Sequence, residues 1–431
     1  MLHAIRGAAT TAMRSRSFHN AGFLFSIQVV NLLVQLAILP FLVRALGPES
    51  YGRYAFFQAI AQYFILFVDF GFQLTATGRV AELRDDQAAL NRYFWTVQVG
   101  RVLLALVAIV VAVGIGLLLF NSAVDGPIFV ASVAVILGTV ATPLWLFAGL
   151  ERMGLVFIVS VCARLAVVPG VLLLVHDPGD AWVAAAVVSA SAILAGLLTL
   201  LLIAWHGLVH FARPHWRGIW DAYRDAWHVF LSNGAISLYL AGNTVMLGSV
   251  AAPAQVGLFG AADKIRQFAC GPITPFAGAF YPQISRLLQT DRTAAIKLLN
   301  RLLWGLVAMT GAISLVLFAA ADLITQILIG PQFPGAAGIL RILSVLPLVA
   351  AFSTVLGTLT MIPLGLKKRF SQITFLTGFV SLGLVALLGG RYGATGAAVA
   401  LVTTEILVTL LLYLSVRSHG IFRLPIRTGT L

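Results

Sequence analysis

The sequence predicts an all-α protein that crosses a membrane about twelve times. Hydrophobic residues make up 60% of the 431 residues and charged residues only 10%, and the mean hydropathy is +0.98. Soluble domains are typically ~25% charged, so burial in a soluble core does not explain this composition. The apolar runs are continuous, whereas a closed barrel requires short segments in which polar and apolar residues alternate. These observations favour membrane-spanning helices.

The individual spans are apolar runs long enough to cross a hydrocarbon core of ~30 Å. Small residues such as Gly and Ala recur within them, as is typical of helices that pack together in a membrane. We expect spans at residues 22–43, 54–76, 96–120, 128–149, 154–175, 182–204, 229–250, 255–280, 302–320, 336–362, 370–389 and 394–415.

The basic residues predict the orientation of these spans. With both termini on the cytoplasmic side, Lys and Arg gather in residues 1–21, in the tail 416–431 and in the inner connections. Outside the spans, only Arg44, Arg53 and Arg391 fall on the opposite side. The positive-inside rule therefore explains much of the net charge of +13, and no nucleic acid partner is needed. We expect a plasma membrane protein with cytoplasmic termini, although residues 1–21 superficially match a transit peptide.

Two stretches of sequence recur at one constant offset and predict an internal repeat. Pro48, Gly52 and Tyr54 match Pro253, Gly257 and Phe259; Leu83, Asp86, Ala89 and Arg92 match Leu288, Asp291, Ala294 and Lys297. An even number of spans in each half implies two six-helix lobes related by a pseudo-two-fold axis along the membrane normal, with substrate between them. We predict a basic N-terminal segment (1–21), a first lobe (22–204), a cytoplasmic amphipathic linker (205–228), a second lobe (229–415) and a tail (416–431).

Cationic side chains lie inside the predicted spans at Arg101, Arg164, Lys264, Arg266 and Arg341. A charge at the centre of a spanning helix costs at least ~2.5 kcal/mol, so such residues face a water-filled cavity or a partner. More cations than acids in the spans indicates a cavity that receives an anion. Arg164 and Arg266 fall near the middle of their spans, whereas Arg101 is close enough to the inner surface for its side chain to snorkel.

Three parts of the chain carry a resemblance to a known family. They are the stretch from Asn31 to Gly52 with its Arg44-Ala-Leu-Gly-Pro turn, Asp69-Phe-Gly-Phe, and the charged connection from Arg79 to Arg92. On these residues the chain resembles the flippases of lipid-linked oligosaccharides and polysaccharides, which share a superfamily with multidrug and toxin extrusion transporters. The resemblance covers essentially the whole chain.

The resemblance implies a V-shaped pair of lobes around a central cationic cavity. It also implies alternating access, by which a polyprenyl-diphosphate-linked O-antigen or exopolysaccharide repeat unit passes from the cytoplasmic to the periplasmic leaflet of a bacterial inner membrane. A glycan polymerase of the same pathway would be a partner. Arg binds phosphate oxygens bidentately and Lys supplies a point charge. We predict diphosphate-binding roles for Arg164, Lys264, Arg266, Arg341, Arg101 and Arg44.

The acids within the spans, Asp69, Asp263 and Glu405, predict coupling to a gradient of H+ or Na+. Asp263 stands three residues from Arg266 on one helical face, so simple pairing is the competing interpretation for it. Pro272 and Pro275 interrupt one span, and we predict that they act in gating. Sugar selectivity would fall to polar residues of the spans, such as Asn31, Gln35, Gln58, Gln62, Asn233 and Asn243. No cofactor or metal site is expected.

Two other functions fit parts of the sequence. A cation-coupled multidrug exporter of the same superfamily would need a lumen richer in acids than in bases. A membrane glycan polymerase or glycosyltransferase usually has a substantial outer loop with catalytic residues, whereas every outer connection here is short. No nucleotide-binding Gly-rich loop or metal-spaced His cluster is present, which argues against an enzyme.

Overall fold

A computed structural model describes residues 2–120 and 122–418, and it places them in helices and connecting turns, with no strand in those ranges. The chain divides into two compact units between Ser237 and Leu238. The basic side chains of residues 1–21 and the tail beyond Ser418 lie outside the described part.

The first unit consists of ten helices and a 3₁₀ turn at Pro178–Asp180. The helices are α1 (Leu2–Asp69), α2 (Phe72–Leu83), α3 (Gln87–Leu119), α4 (Asp125–Val133), α5 (Val135–Ala141), α6 (Leu144–Gly149), α7 (Met153–Leu165), α8 (Val167–Leu174), α9 (Ala181–Trp205) and α10 (Trp216–Leu240). The last residues of α10 continue past the boundary between the units.

Two sharp bends punctuate the first of these helices. Gly47 has φ 69° inside α1, and Pro48 follows it, so the helix changes direction between the predicted spans 22–43 and 54–76. After Asp69, both Phe70 (φ 43°) and Gly71 (φ 84°) adopt left-handed conformations before α2 begins. A β-carbon on Gly71 would lie 2.9 Å from Val229 Cβ, so only glycine allows α10 to approach this turn so closely.

The second unit contains α11 (Gly242–Val250), α12 (Pro253–Cys270), α13 (Ile273–Thr290), α14 (Arg292–Ala319), α15 (Ala321–Leu328), α16 (Ala336–Leu343), α17 (Leu346–Thr354), α18 (Lys367–Leu384) and α19 (Gly390–Ser418). A π-helical segment, Val355–Met361, extends α17, and a second, Val385–Gly389, joins α18 to α19. Such segments commonly occur at functional sites because they displace backbone groups from the regular helical ladder.

Eight helical segments of the described chain are long and apolar enough to cross a membrane. They are Phe25–Leu83, Gln87–Leu119, Asp125–Gly149, Met153–Leu174, Pro178–Trp205, Arg292–Ala319, Ala336–Met361 and Lys367–Ser418. The first and last contain 59 and 52 residues, or ~90 and ~80 Å at 1.5 Å per residue, enough for two crossings each. The predicted all-α, multi-spanning class is confirmed.

The predicted spans 229–250 and 255–280 do not belong to these eight segments. The second of them carries Asp263, Lys264 and Arg266 within four positions. It also breaks between α12 and α13 at Gly271 and Pro272. The charged residues and the helix break shorten the continuous apolar stretch, so this part of the chain does not meet the length and hydropathy of the eight segments.

Each unit has its own hydrophobic core. In the first, Phe72, Phe94, Trp145 and Phe147 are buried where α2, α3 and α6 meet. In the second, side chains of α14, α17, its π-helical extension and α19 pack together, among them Leu299, Leu306, Leu359 and Leu412. The cores fix the helices that present the charged residues described below.

Helices α5 and α9 pack backbone against backbone in the first unit. Gly138 of α5 lies against the main chain of Ala192 and Ile193, and a β-carbon on Gly196 of α9 would lie 2.5 Å from Ala141 Cβ. Because neither glycine could carry a methyl group without moving its neighbour, this glycine seam depends on both.

The predicted repeat has a structural counterpart at two helix starts. Asp86 accepts a hydrogen bond from the backbone N–H of Ala89 at 2.9 Å and caps α3. Asp291 accepts one from the N–H of Ala294, also at 2.9 Å, and caps α14. Both caps use extended backbone at the Asp, and in each the donor is the next matched position of the repeat, three positions later.

Much of the predicted linker, 205–228, packs on the first unit. Gln87 Nε2 donates to the Leu208 carbonyl and Trp95 Nε1 donates to the His210 carbonyl, each at 3.0 Å, and the His210 N–H donates to Asn91 at 3.0 Å. These contacts bind the segment after α9 to the first turns of α3. The segment therefore belongs to the first unit.

Candidate anion-binding site

The residue that stands out chemically is Arg164, in the last turn of α7. Its Nε is buried and has no hydrogen-bond partner within residues 2–120 and 122–418, and no acid of that part forms an ion pair with it. Tyr54 of α1 is close enough for its hydroxyl to interact electrostatically with the guanidinium. An unneutralised guanidinium in a spanning segment attracts an anion.

Neutral hydrogen-bond donors lie on the helix face that carries Tyr54. The Tyr54 hydroxyl forms no hydrogen bond to the described residues, and Gln58, one turn further along α1, has a buried amide nitrogen without a partner there. Helices α1 and α7 pack against each other, so this face and Arg164 belong to one neighbourhood. Donors without partners, around a cation without an acid, are suited to phosphate oxygens.

Arg101 of α3 has a different environment. The residue is 1% exposed, and its Nη2 donates to Asp69 at 2.9 Å and to the Thr139 carbonyl at 2.7 Å. Nη1 donates to the Val140 carbonyl at 3.3 Å. The snorkelling interpretation of Arg101 is wrong, because the guanidinium points into the unit.

The partners of Arg101 are the ends of two helices. Asp69 is the last residue of α1, and the carbonyls of Thr139 and Val140 belong to the last turn of α5, where the chain breaks before Pro143. Carbonyls at a helix end have no partner within the helix. Arg101 therefore joins α1, α3 and α5, and it shares the two carbonyls with the Gln98 amide and the Thr142 N–H.

Charges in the second unit are neutralised on one helix face of α12. Arg266 Nε donates to one oxygen of Asp263 and Gln267 Nε2 donates to the other, each at 2.6 Å. Arg266 also lies 4.0 Å from the sulfur of Cys270. The pairing predicted from the spacing of Asp263 and Arg266 is present.

Glu405 of α19 is buried and accepts a hydrogen bond from the Ser353 hydroxyl of α17 at 2.8 Å. It is near enough to Cys270 to interact with it electrostatically, as are Asp263 and Arg266. Helices α12, α17 and α19 thus bring the predicted acids Asp263 and Glu405 into one polar cluster within the second unit.

The remaining predicted residues lie apart from these two groups. Lys264 is half-buried and Arg44 is exposed, and each interacts with neighbouring residues. Arg341 pairs with Asp322, and both side chains are well exposed. Pro272 precedes the first residue of α13, and Pro275 lies in its first turn, at the predicted interruption.

Sequence reasoning missed Tyr54 as a site residue, as well as the partners Ser353 and the two carbonyls of α5. Tyr54 and Gln58 are four residues apart in an apolar run, a spacing that places them on one helix face, and this signal was available. Within the described residues, no group of three or more His, Cys, Asp or Glu side chains is arranged to hold a metal ion.

The sequence pattern of the family described as "Polysaccharide biosynthesis protein" matches residues 17–288. The chain belongs to this family. A protein of Escherichia coli (strain K12) named "Putative O-antigen transporter" is 34% identical over 400 residues, which cover 93% of this chain and 96% of that protein. One of the same name from Shigella dysenteriae is 27% identical over 92% of this chain and 99% of that protein.

Solved structures support the fold of this polysaccharide biosynthesis protein. The lipid II flippase MurJ in an inward closed conformation aligns with a TM-score of 0.64 at 14% identity, covering 93% of this chain and 87% of that one. An inward-facing multidrug resistance transporter of the MATE family aligns with a TM-score of 0.63 at 15% identity, covering 91% and 94%. At such identities the likeness establishes the fold alone. With its apolar helices, the family member is a multi-pass membrane protein.

Proposed function

We propose that this protein is a flippase that carries a polyprenyl-diphosphate-linked oligosaccharide from the cytoplasmic to the periplasmic leaflet of a bacterial inner membrane. Family membership and relatives named as O-antigen transporters support a lipid-linked glycan as the cargo and a transporter rather than an enzyme. The cargo would be an O-antigen or exopolysaccharide repeat unit. A glycan polymerase of the same pathway would receive it.

The observation that carries this proposal is the unneutralised guanidinium of Arg164. A diphosphate must exchange its hydration for protein donors before it can cross a region of low dielectric. A hydrogen bond between charged groups contributes ~1.5–3 kcal/mol, and a guanidinium can form two to one phosphate. The Tyr54 hydroxyl and the Gln58 amide supply neutral donors on the adjoining helix.

The charged cluster of the second unit would contact the diphosphate at a later stage of transport than Arg164, which would bind it first. Asp263 already occupies Arg266, so an anion would have to compete with a carboxylate held at 2.6 Å. Protonation or ion binding at Asp263 or Glu405 would weaken that competition. We therefore propose coupling to H+ or Na+ through these acids, with Lys264 and Arg266 as the cations released by it.

Alternating access requires helices that bend, and the break at Pro272 and Pro275 is the element we assign to gating. Because proline supplies no N–H, these two residues interrupt the backbone hydrogen bonding between α12 and α13. Asp69 is held by Arg101 and would respond to ions only by giving up that contact.

The decisive experiment reconstitutes the full chain in proteoliposomes with a fluorescent polyprenyl-diphosphate oligosaccharide. Accessibility of the glycan to a lectin added outside measures which leaflet holds it. We expect the wild-type chain to equilibrate the lipid between leaflets, and Arg164→Gln to leave it on its original side. Transport of a lipophilic cation instead of the glycan lipid would identify a drug exporter and overturn the proposal. Release of polymerised or transferred glycan would identify an enzyme.

A further inference from the structure

We propose that the first half of α10 is a docking surface for the anionic phospholipid headgroups of one membrane leaflet. This surface, the aromatic-basic face, is formed by Trp216, Trp220, Trp227, Arg217 and Arg224 of α10, together with Arg213 just before the helix. The proposal concerns the bilayer itself and does not depend on the cargo that the protein carries.

The face follows from the periodicity of α10. Trp216, Trp220 and Trp227 recur at i, i+4 and i+11, so they form one stripe, and they are 71%, 73% and 47% exposed. Arg217 and Arg224 form the neighbouring stripe, seven residues apart, and both are exposed. The opposite side is buried against the first unit through a different set of residues, Ile219, Ala222 and Ala226.

The depth of this face can be read from α3, to which α10 is fixed. Helix α3 has 33 residues and is ~50 Å long, whereas a hydrocarbon core of ~30 Å needs about 20. Counted from its apolar end at Leu119, the core therefore ends near Gly100. The Tyr223 hydroxyl donates to the Gly100 carbonyl at 2.7 Å, so α10 crosses α3 at the membrane surface.

That anchoring bond is present at all physiological pH values. Tyr223 lies in α10, and burial raises its pKa to about 12, so the hydroxyl stays protonated and donates. A β-carbon on Gly100 would lie 3.3 Å from the Tyr223 oxygen, and one on Gly218 would lie 3.2 Å from Thr96 Cγ2. Glycines on both helices thus hold α10 close to this level of α3.

The charge of the face fits phosphate. Arg213, Arg217 and Arg224 form no ion pair or hydrogen bond through their side chains in the described part of the chain, even though Asp221 is within one turn of two of them. Tryptophan prefers the headgroup layer, and each basic residue near an anionic leaflet contributes to binding. Helix α10 is not among the segments apolar enough to span, which favours a position in the surface plane.

The test places a spin label on the face and measures its depth. Trp220→Cys, in a Cys162→Ala/Cys270→Ala background, is labelled in the full chain and reconstituted in nanodiscs of phosphatidylcholine with or without phosphatidylglycerol. Power saturation with oxygen and with a water-soluble nickel chelate reports depth. We expect the label at headgroup level, with a several-fold loss of nickel accessibility when phosphatidylglycerol is included.

Removing the arginine charges distinguishes binding to anionic lipid from mere exposure of the helix to water. The triple variant Arg213→Gln/Arg217→Gln/Arg224→Gln should abolish the effect of phosphatidylglycerol on the label. The matched control Lys367→Gln/Lys368→Gln/Arg369→Gln removes the same charge from exposed residues of the second unit and should leave the effect intact. If the triple variant does not fold, Arg217→Gln alone should reduce it. A label that is fully water-accessible in both lipids, or one at hydrocarbon depth in both, would overturn the proposal.

Discussion

The first unit presents Arg164 without an acid, whereas the second unit presents Arg266 bound on its own helix to Asp263. Both arginines fall near the middle of spans predicted from the same sequence pattern. Their difference shows that the number of cations in a membrane protein does not give the number of anion sites. The number of anion sites depends instead on how many cations are available to a ligand. A cation with an acid partner, such as Arg266 with Asp263, is less available than one without.

Arg101 extends the comparison inside the first unit itself. It is more buried than Arg164, yet an acid and two helix-end carbonyls occupy its guanidinium. The Nε of each arginine lacks a partner among the described residues, so the difference lies in the other groups. Deep burial with an acid and carbonyls bound to the guanidinium is typical of a structural residue, and partial burial without an acid is typical of a ligand-binding one. The substitutions below test this distinction, and the first carries the largest expected effect.

Arg101→Ala should lower the free energy of unfolding by about 3 kcal/mol, because it removes the charge partner of Asp69 and a charged donor from the carbonyls of Thr139 and Val140. Thermal unfolding of the purified protein in detergent measures this. Arg101→Ala/Asp69→Asn should recover part of the loss. A melting temperature equal to that of the wild type would contradict the structural role.

Arg164→Ala should reduce translocation about 10–100-fold, the equivalent of ~1.5–3 kcal/mol for a charge-assisted hydrogen bond. Its melting temperature should not fall, since the change leaves no buried acid without a partner. Arg164→Lys should be intermediate, because an ammonium cannot bind phosphate bidentately. Flipping in proteoliposomes is the measurement, and an unchanged rate would rule out Arg164 as a cargo contact.

Asp263→Asn should bring the second unit closer to the first by removing the carboxylate that binds Arg266 on its own helix. We expect a loss of about 1–3 kcal/mol in stability and a change in the dependence of transport on the ion gradient. Gln267→Ala, which removes only a neutral donor from the same carboxylate, is the matched control and should cost less. Equal effects of the two substitutions would show that charge at Asp263 is unimportant.

Arg341→Gln should have the smallest effect, within ~0.5 kcal/mol of wild-type stability, because its pair with Asp322 is exposed to solvent. Asp322→Asn should behave in the same way. A strong loss of translocation in Arg341→Gln, with stability intact and with Asp322→Asn unaffected, would instead indicate the cargo contact that the sequence predicts.

Sequence reasoning succeeded where interactions are local. The apolar runs predicted the helices, and the three-residue spacing of Asp263 and Arg266 predicted their pairing. The match of Asp86 with Asp291 came from the repeated sequence, and the structure adds that both cap a helix. In each case the partners lie within one helical turn, so the backbone geometry of a helix is enough to bring them together.

Partners that are distant in sequence were not predictable in this way. Asp69 and Arg101 are separated by 32 positions, and Ser353 and Glu405 by 52. Their contacts depend on how helices pack and on where α5 ends, which no periodicity reveals. The same limit applied to Arg164. It differs from Arg101 and Arg266 because no acid of the described residues pairs with it, and the sequence did not reveal this.

The glycine seam between α5 and α9 has a consequence for the barrier itself. Gly138 lies against the main chain of Ala192, and Gly196 lies against Ala141 Cβ and the Gly138 carbonyl, so the seam leaves no room for a file of water molecules. Protons cross membranes along such files. A larger residue at either glycine would push the two helices apart and open a gap between them.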